Sequence, residues 1–139
     1  MIAKNAPEQT EQLSQKLLME TPCAICAART DGNHSLLFAN RAFFDLFGDM
    51  PEAEFPSDGL LGILVRVAPK DAACAAREAE RVASGDAPAA SVEIRQCGRD
   101  GRQLWTLVRM RRVVWKEAIL VCVFEDITAR KEAEEQARI

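Results

Sequence analysis

Apolar residues recur along the chain with two different periods, and each change of period marks a change of secondary structure. In the first 20 residues, Leu13, Leu17 and Leu18 share one side of a helical spacing. This predicted helix follows Asn5, a capping residue type, and ends at Thr21, because a residue that precedes proline is pushed out of the α region. The result is a short amphipathic helix whose leucines need a cover.

Two short apolar runs follow and predict a β-hairpin. They occupy residues 23–29 and 36–39, and an Asp-Gly turn signal lies between them. Asn40 is a cap candidate for the next helix, residues 41–47, in which three phenylalanines recur at spacings of three and four. Gly48 is a helix terminator.

The middle of the chain predicts two more helices after a loop rich in proline and acid at residues 50–58. Residues 60–67 form a short apolar run typical of a buried helix. Asp71 is a cap candidate for a longer helix that extends to about Ser84. Its stripe of alanines allows it to approach a sheet closely.

The last third of the chain alternates with a period of two, which predicts strands. They cover residues 91–96, 103–114 and 118–125 and are joined by tight turns. From Thr128 onward the composition favours a helix. The element order predicts an α+β fold: a five-stranded, largely antiparallel sheet with helices on one face.

Composition and charge narrow the functional classes. With 139 residues and a formal charge of −3, the chain suits one domain and gives no electrostatic reason to expect nucleic acid or an anionic membrane as a partner. The arginines between Arg95 and Arg112 alternate along strands, which indicates a solvated sheet surface. No apolar run has the length of a membrane span, so we expect a cytoplasmic segment without direct membrane insertion. Five cysteines, an odd number, favour reduced thiols.

Four stretches, in order, resemble the sequence motifs of PAS domains, the sensory-box domains of bacterial signalling proteins. Residues 36–43 with 46–48 are similar to "I-L-Y-A-N-x-A-F…L-F-G", residues 68–71 to "H-P-E-D", residues 92–95 with 99–101 and Trp105 to "E-x-R…k-D-G…W", and residues 125–131 to the exit motif "D-I-T-x-R-K". Each motif is weak alone, whereas four at family spacing are specific.

The resemblance implies a strand order of 2-1-5-4-3. It also implies three segments: an N-terminal flanking helix at residues 1–21, a PAS core at 22–127 and the start of a C-terminal signal-linker helix at 128–139. PAS domains act as sensors or dimerisation modules upstream of output domains, as in the sensor histidine kinases of two-component systems and in diguanylate cyclases. No nucleophile–base pair or carboxylate cluster indicates an enzyme in this chain. The expected function is therefore a sensory and dimerisation module that passes a signal to a covalently linked output domain. The alternative is a constitutive dimerisation domain without a ligand.

Alternation assigns the strand faces and gives a candidate ligand pocket between the sheet and the helices. A filled core and a pocket for a small apolar ligand are both open, and no polar cofactor is expected, because this set offers no charge. The pocket residues are Ile25, Phe38, Phe47, Leu61, Leu64, Val82, Val92, Ile94, Thr106, Val108, Leu120 and Cys122.

The opposite face of the sheet is also apolar at its centre and is expected to be covered by the N-terminal helix and a second subunit. This predicts a homodimer. The predicted dimer face consists of Leu13, Leu17, Trp105, Leu107, Ile119, Val121 and Val123.

The chain lacks the residues that bind the known cofactors of PAS domains. A haem-binding PAS domain uses a histidine, and the single histidine, His34, falls in a hairpin turn where we expect it to be solvated. Photoactive flavin PAS domains carry a cysteine in a short helix, and the corresponding residues 59–64 contain none. Cys23 and Cys26 point to opposite faces if both lie on a strand, so no metal site is expected. A redox role for Cys23, Cys26, Cys74, Cys97 or Cys122 is open.

Two residues mark the exit from the last strand. Asp126 and Thr128 are candidates to accept hydrogen bonds from the first-turn amides of the C-terminal helix. The resemblance also implies that they form a lever that passes strain from the sheet to that helix. The two roles are compatible.

Overall fold

The computed structural model describes residues 6–47, 58–97 and 101–138, and the predicted features at Asn5, Gly48, residues 50–57 and residues 98–100 lie outside these ranges. The elements match the predicted order to within a few residues at each end. The helices are α1 (Ala6–Glu20), α2 (Arg41–Phe47), α3 (Gly59–Val67), α4 (Ala72–Ala83) and α5 (Thr128–Ala137), and the strands are β1 (Ala24–Arg29), β2 (Leu36–Ala39), β3 (Ala89–Cys97), β4 (Gln103–Val114) and β5 (Ala118–Asp126).

The five strands form one antiparallel sheet in the order β2-β1-β5-β4-β3, as predicted. β1 pairs with β5, so the first and last strands of the domain are neighbours at its centre. The alternation also holds in the last three strands. Val92 and Ile94 are buried on the inner face, whereas Glu93 and Arg95 lie half-buried on the outer face.

The inner face of the sheet packs against α2, α3 and α4 to form the core. The alanines of α4 allow the close approach predicted from the sequence, since Ala75 and Ala79 are fully buried against it. The core is dense on the α2 side, where the rings of Phe43, Phe47 and Phe124 meet with centroids 4.6–5.5 Å apart. Aromatic pairs at these distances and tilts contribute beyond their burial alone.

Asn40 joins the first hairpin to α2. Its side-chain oxygen accepts hydrogen bonds from the amides of Phe43 (3.0 Å) and Ile25 (2.9 Å). Its side-chain nitrogen donates to the carbonyls of Cys23 (2.7 Å) and Thr21 (3.4 Å). The predicted cap is therefore present, and the same side chain also fixes the start of β1.

The N-terminal helix α1 contacts α2 and does not bury its leucine stripe. Leu13, Leu17 and Leu18 are 57%, 59% and 43% exposed. The expectation that these leucines cover the sheet within one subunit is therefore wrong.

Within the described ranges, no helix has both the length and the apolarity that crossing a bilayer requires.

Candidate functional site

The structure brings together ten of the twelve predicted pocket residues on the inner side of the sheet. Eight are buried and two, Phe47 and Leu61, are partly buried against the same core. Val82 of α4 and Leu120 of β5 are completely enclosed, at 0% exposure. The inner face therefore has the apolar character predicted for it.

The other two pocket residues, Ile25 and Phe38, lie on the outer face, which corrects their assignment. Ile25 lies opposite Val123, and Phe38 lies opposite Ala27, which in turn lies opposite Val121. Both valines belong to the outer face. The inner positions of β1 are held instead by Ala24, Cys26 and Ala28.

A buried polar pair lies within the apolar inner face, and its second member was missed in the sequence. The Thr106 hydroxyl donates to the side-chain oxygen of Gln96 (3.1 Å), whose amide nitrogen donates to the Leu46 carbonyl (2.9 Å). Both polar side chains are at most 2% exposed. The signal was available, because Gln96 continues the inward alternation of Val92 and Ile94. This chain of hydrogen bonds ties β3 and β4 to the end of α2.

Two cysteine thiols meet at the centre of the inner face. Cys26 and Cys122 lie directly opposite each other on β1 and β5, and both are completely buried. The hydrogen bond with Cys122, together with burial, raises the pKa of Cys26 well above its ordinary value. Since the thiolate is the reactive form of cysteine, the raised pKa keeps Cys26 as a neutral thiol. Cys23, the other member of the sequence pair, is exposed.

His34 is buried, so the prediction of a solvated side chain is wrong. Its backbone adopts a positive φ of 54°, and its side chain is 1% exposed. Its Nδ1 lies 3.1 Å from the Arg29 carbonyl, and its Nε2 lies 3.8 Å from the Glu80 carboxylate of α4. This histidine therefore lies between the first hairpin and α4. Among the described residues, no group of three or more His, Cys, Asp or Glu side chains is placed to hold a metal ion.

The start of α5 is attached to the sheet at Trp105, through contacts that we call the exit clamp: Trp105, Asp126, Ile127, Thr128 and Lys131. The Trp105 amide donates to the Thr128 hydroxyl oxygen (2.9 Å), and its carbonyl accepts from the Ile127 amide (2.8 Å). Asp126 accepts from both the amide (2.9 Å) and the hydroxyl (2.6 Å) of Thr128. Asp126 therefore accepts from the first amide of α5, as predicted. The Thr128 hydroxyl has a different role, because it bonds the sheet rather than the helix.

Charged side chains extend the exit clamp over the Trp105 ring. The Lys131 ammonium lies 4.8 Å from the ring centroid and 2.6 Å from the Glu93 carboxylate, which Arg130 also contacts at 2.8 Å.

Lys131 holds the pKa of Glu93 below its ordinary value. The folded-state pKa is depressed, so the ion pairs stabilise docking above the ordinary carboxyl range and are lost as pH falls through the lowered pKa. Because these groups are partly solvated, their contribution to stability is small.

A second ion pair links α4 to the edge strand β3. The Asp71 carboxylate accepts from the Arg95 amide (2.7 Å), Nε (3.0 Å) and Nη2 (2.8 Å) and makes no side-chain capping bond to α4. The predicted cap is therefore replaced by a contact across the chain. Arg95 holds the pKa of Asp71 below its ordinary value. The guanidinium also lies 5.9 Å from the centroid of Trp105, so this pair borders the exit clamp.

The outer face of the sheet carries the five predicted strand residues of the dimer face. All five are half-buried within a single subunit: Trp105, Leu107, Ile119, Val121 and Val123. A groove of about 690 Å³ runs along this face beside Val121 and Val123 and is bordered by Arg109 and Arg111. Leu13 and Leu17 lie on α1, which contacts α2, and they do not line this groove. Their side chains are exposed.

Comparison with known proteins shows which family this architecture belongs to. The family model described as PAS domain matches residues 22–129. The structure of an RNA-binding Light-Oxygen-Voltage receptor superposes with a TM-score of 0.74 at 20% identity, over 95% of this chain and 37% of that one. This chain thus spans about a third of that receptor.

Two isolated domains superpose over most of their own length. The PAS domain of an HTR-like protein from Haloarcula marismortui gives a TM-score of 0.60 at 20% identity, over 86% of this chain and 99% of that one. A PAS domain from a two-component sensor histidine kinase gives 0.61 at 15% identity, over 86% and 98%. No curated protein matches the chain. At these identities the solved structures show the shared fold.

Proposed function

Because the chain belongs to the PAS domain family, we propose that it is the input module of a multidomain signalling protein and passes a signal through α5 to an output domain. The observation that carries this proposal is the exit clamp. Both backbone groups of Trp105 bond the start of α5, so a displacement of β4 alters the docking of that helix directly.

The inner face offers a route for such a displacement. Thr106 follows Trp105 in β4 and bonds Gln96 from inside the core, whereas Trp105 bonds α5 from outside. A change in core packing at Thr106 therefore acts one residue from the exit clamp. Interfaces and packed cores switch between discrete arrangements, so a small shift at such a point can be amplified along the helix.

A small apolar ligand is the input that best fits the inner face, and the alternative is a constitutive dimerisation domain without a ligand. Apolar residues predominate there, and the polar pair Gln96–Thr106 is internally bonded. Native mass spectrometry of protein purified from cells, compared with its denatured mass, distinguishes the two. A retained extra mass supports a ligand, whereas equal masses in freshly purified protein support the constitutive domain.

We also propose that the module is a homodimer formed by the exposed leucines of α1 and the outer sheet face. Each large side chain that stays in water forgoes roughly 1.5–3 kcal/mol of burial, and a twofold partner buries the same residues on both subunits. The groove of about 690 Å³ beside Val121 and Val123 has room for apolar side chains of a partner.

The double substitution Leu13→Asp with Leu17→Asp is expected to convert a dimer to a folded monomer. Both side chains are exposed in one subunit, so the change removes intersubunit burial without opening the core. Sedimentation velocity reports the mass, and circular dichroism reports the fold. The control is Val65→Asp, which changes another exposed apolar residue, outside α1 and the sheet, and should leave the dimer intact. An unmodified protein that sediments as a monomer at high micromolar concentration would refute this proposal.

A further inference from the structure

Among the described residues, the turn between β4 and β5 exposes three large apolar side chains in a row. Val113, Val114 and Trp115 are consecutive and are 43%, 66% and 76% exposed. The Trp115 amide donates to the Glu117 carbonyl (3.0 Å), which closes a tight turn that leaves the indole in solvent. We call residues 113–116 the hairpin tip. An exposed tryptophan beside two exposed valines marks an interaction surface.

The β4–β5 hairpin that carries the tip is basic although the whole chain carries a charge of −3. Between residues 103 and 124 there are four cationic side chains and one acidic side chain, a local balance of 4 − 1 = +3, and one of the four, Arg109, is paired with Glu125 at 3.5 Å. The acid, Glu117, is paired with Arg29 of β1 at 3.4 Å. Arg111, Arg112 and Lys116 make no ion pair with another described residue. Because salt screens charges beyond about 8 Å at physiological ionic strength, the local charge governs contact at the tip.

The flanking helices α1 and α5 do not cover the hairpin tip, because they attach at the other end of the sheet. Ile119 next to the tip pairs with Arg29, at the end of β1, whereas Thr106 pairs with Asp126 at the opposite end of the sheet. α1 leads into the start of β1 and α5 follows the end of β5, so both attach at that opposite end. Whatever covers the hairpin tip is therefore neither α1 nor α5 but a separate binding partner.

The shape and chemistry of the hairpin tip fit one such surface best. A convex point with three apolar side chains is too small for a stable protein interface, which buries about 800 Å² on each partner. A bilayer surface needs no shape complementarity. Tryptophan concentrates at its headgroup level, and clustered Lys and Arg are attracted to anionic headgroups. Single-stranded nucleic acid also suits Trp with Arg, but it is bound along grooves by stacking, and the valines offer no ring to stack on.

We propose that the hairpin tip docks the domain onto anionic lipid bilayers, with Trp115 and Val114 at the headgroup level and Arg111, Arg112 and Lys116 facing the phosphates. This is surface adsorption rather than insertion of a spanning segment. This proposal differs from the expectation drawn from the net charge of −3, which gave no reason for an anionic membrane as partner, because the net charge does not reveal a local excess of cations near the tip.

Co-sedimentation of the full chain with phosphatidylglycerol vesicles tests this proposal. We expect binding to these vesicles, little binding to phosphatidylcholine vesicles, and weakening as salt is raised. Trp115→Ser and, separately, Arg111→Ser with Arg112→Ser should each lower the affinity at least tenfold. The matched control is Val65→Ser with Arg66→Ser, an exposed apolar–basic pair on α3, which should bind as the unmodified protein does.

Any one of five results would overturn the proposal. Four of them are no binding of the unmodified protein to phosphatidylglycerol, equal loss in the α3 control, binding that Trp115→Ser leaves unchanged, and tighter binding to a single-stranded RNA oligonucleotide than to vesicles. The fifth is a fall in the sedimentation coefficient of Trp115→Ser without vesicles. It would mean that the tip binds a second copy of the chain, which contradicts the proposal. All substituted side chains are exposed, so circular dichroism should show each variant folded.

Discussion

Replacement of Gly59 by alanine is expected to lower the free energy of unfolding by about 3 kcal/mol, since the residue is left-handed and closely packed at once. Its φ is 65°. A β-carbon there would lie 2.4 Å from the Asn33 carbonyl oxygen and 2.9 Å from that of His34, both of them backbone atoms. The same two carbonyls accept hydrogen bonds from the first amides of α3, at Leu61 (3.4 Å) and Leu60 (2.9 Å). The methyl group therefore pushes the hairpin away from the helix that it caps.

Urea unfolding followed by circular dichroism measures this loss, and Gly32→Ala is the matched control. Gly32 lies in the same hairpin with no atom within 4 Å of its would-be β-carbon, so its variant should change stability by less than about 0.5 kcal/mol. If the two variants were equally stable, the close approach of hairpin and α3 would be wrong.

Replacement of Asn40 by alanine is expected to cost a similar amount, about 3 kcal/mol. The side chain is completely buried and bonds two amides and two carbonyls. Alanine leaves those groups without a partner in a site that water does not reach, and an unsatisfied buried group carries its full desolvation cost. β1 and α2 lose their common anchor.

Thermal unfolding should register the Asn40 change as a fall in midpoint of roughly 10 °C. Asn33→Ala provides the comparison, because Asn33 is exposed and its side chain makes no hydrogen bond to another described residue. An Asn40→Ala protein as stable as Asn33→Ala would mean that the four bonds are not formed together in the native state.

The sequence was sufficient for the strand order, through the family resemblance, and for the faces of β3, β4 and β5, where polar and apolar residues alternate. It failed at Ile25 because β1 is apolar at every position from Ala24 to Ala28, so no alternation reveals the buried side. It failed at Phe38 because the β1–β2 register shifts between Ala27 and Ala28. Such a shift comes from the hairpin as a whole rather than from the strand's own residues.

The buried position of His34 depended on a contact that the local sequence does not contain. A polar residue in a turn is normally solvated, yet here α4 brings Glu80 against the hairpin from 46 positions along the chain, at 3.8 Å. The same limit applies to Asp71. Its place before a helix predicted a cap, whereas the carboxylate bonds Arg95 of β3 instead. In both cases a residue distant in sequence lies against the side chain, so the local pattern does not reveal its surroundings.

Hydrogen exchange in α5 of a Thr106→Val protein tests most directly whether the core communicates with the exit helix. Valine keeps the shape of threonine but removes the bond to Gln96 one residue from the exit clamp. Val82→Ala, a core change in α4, is the comparison, with both proteins corrected for their global stability from urea unfolding. We predict that amides 127–137 lose about tenfold protection beyond the global change in Thr106→Val and none in Val82→Ala. Equal behaviour of α5 in the two variants would contradict a signal path through β4 and the exit clamp.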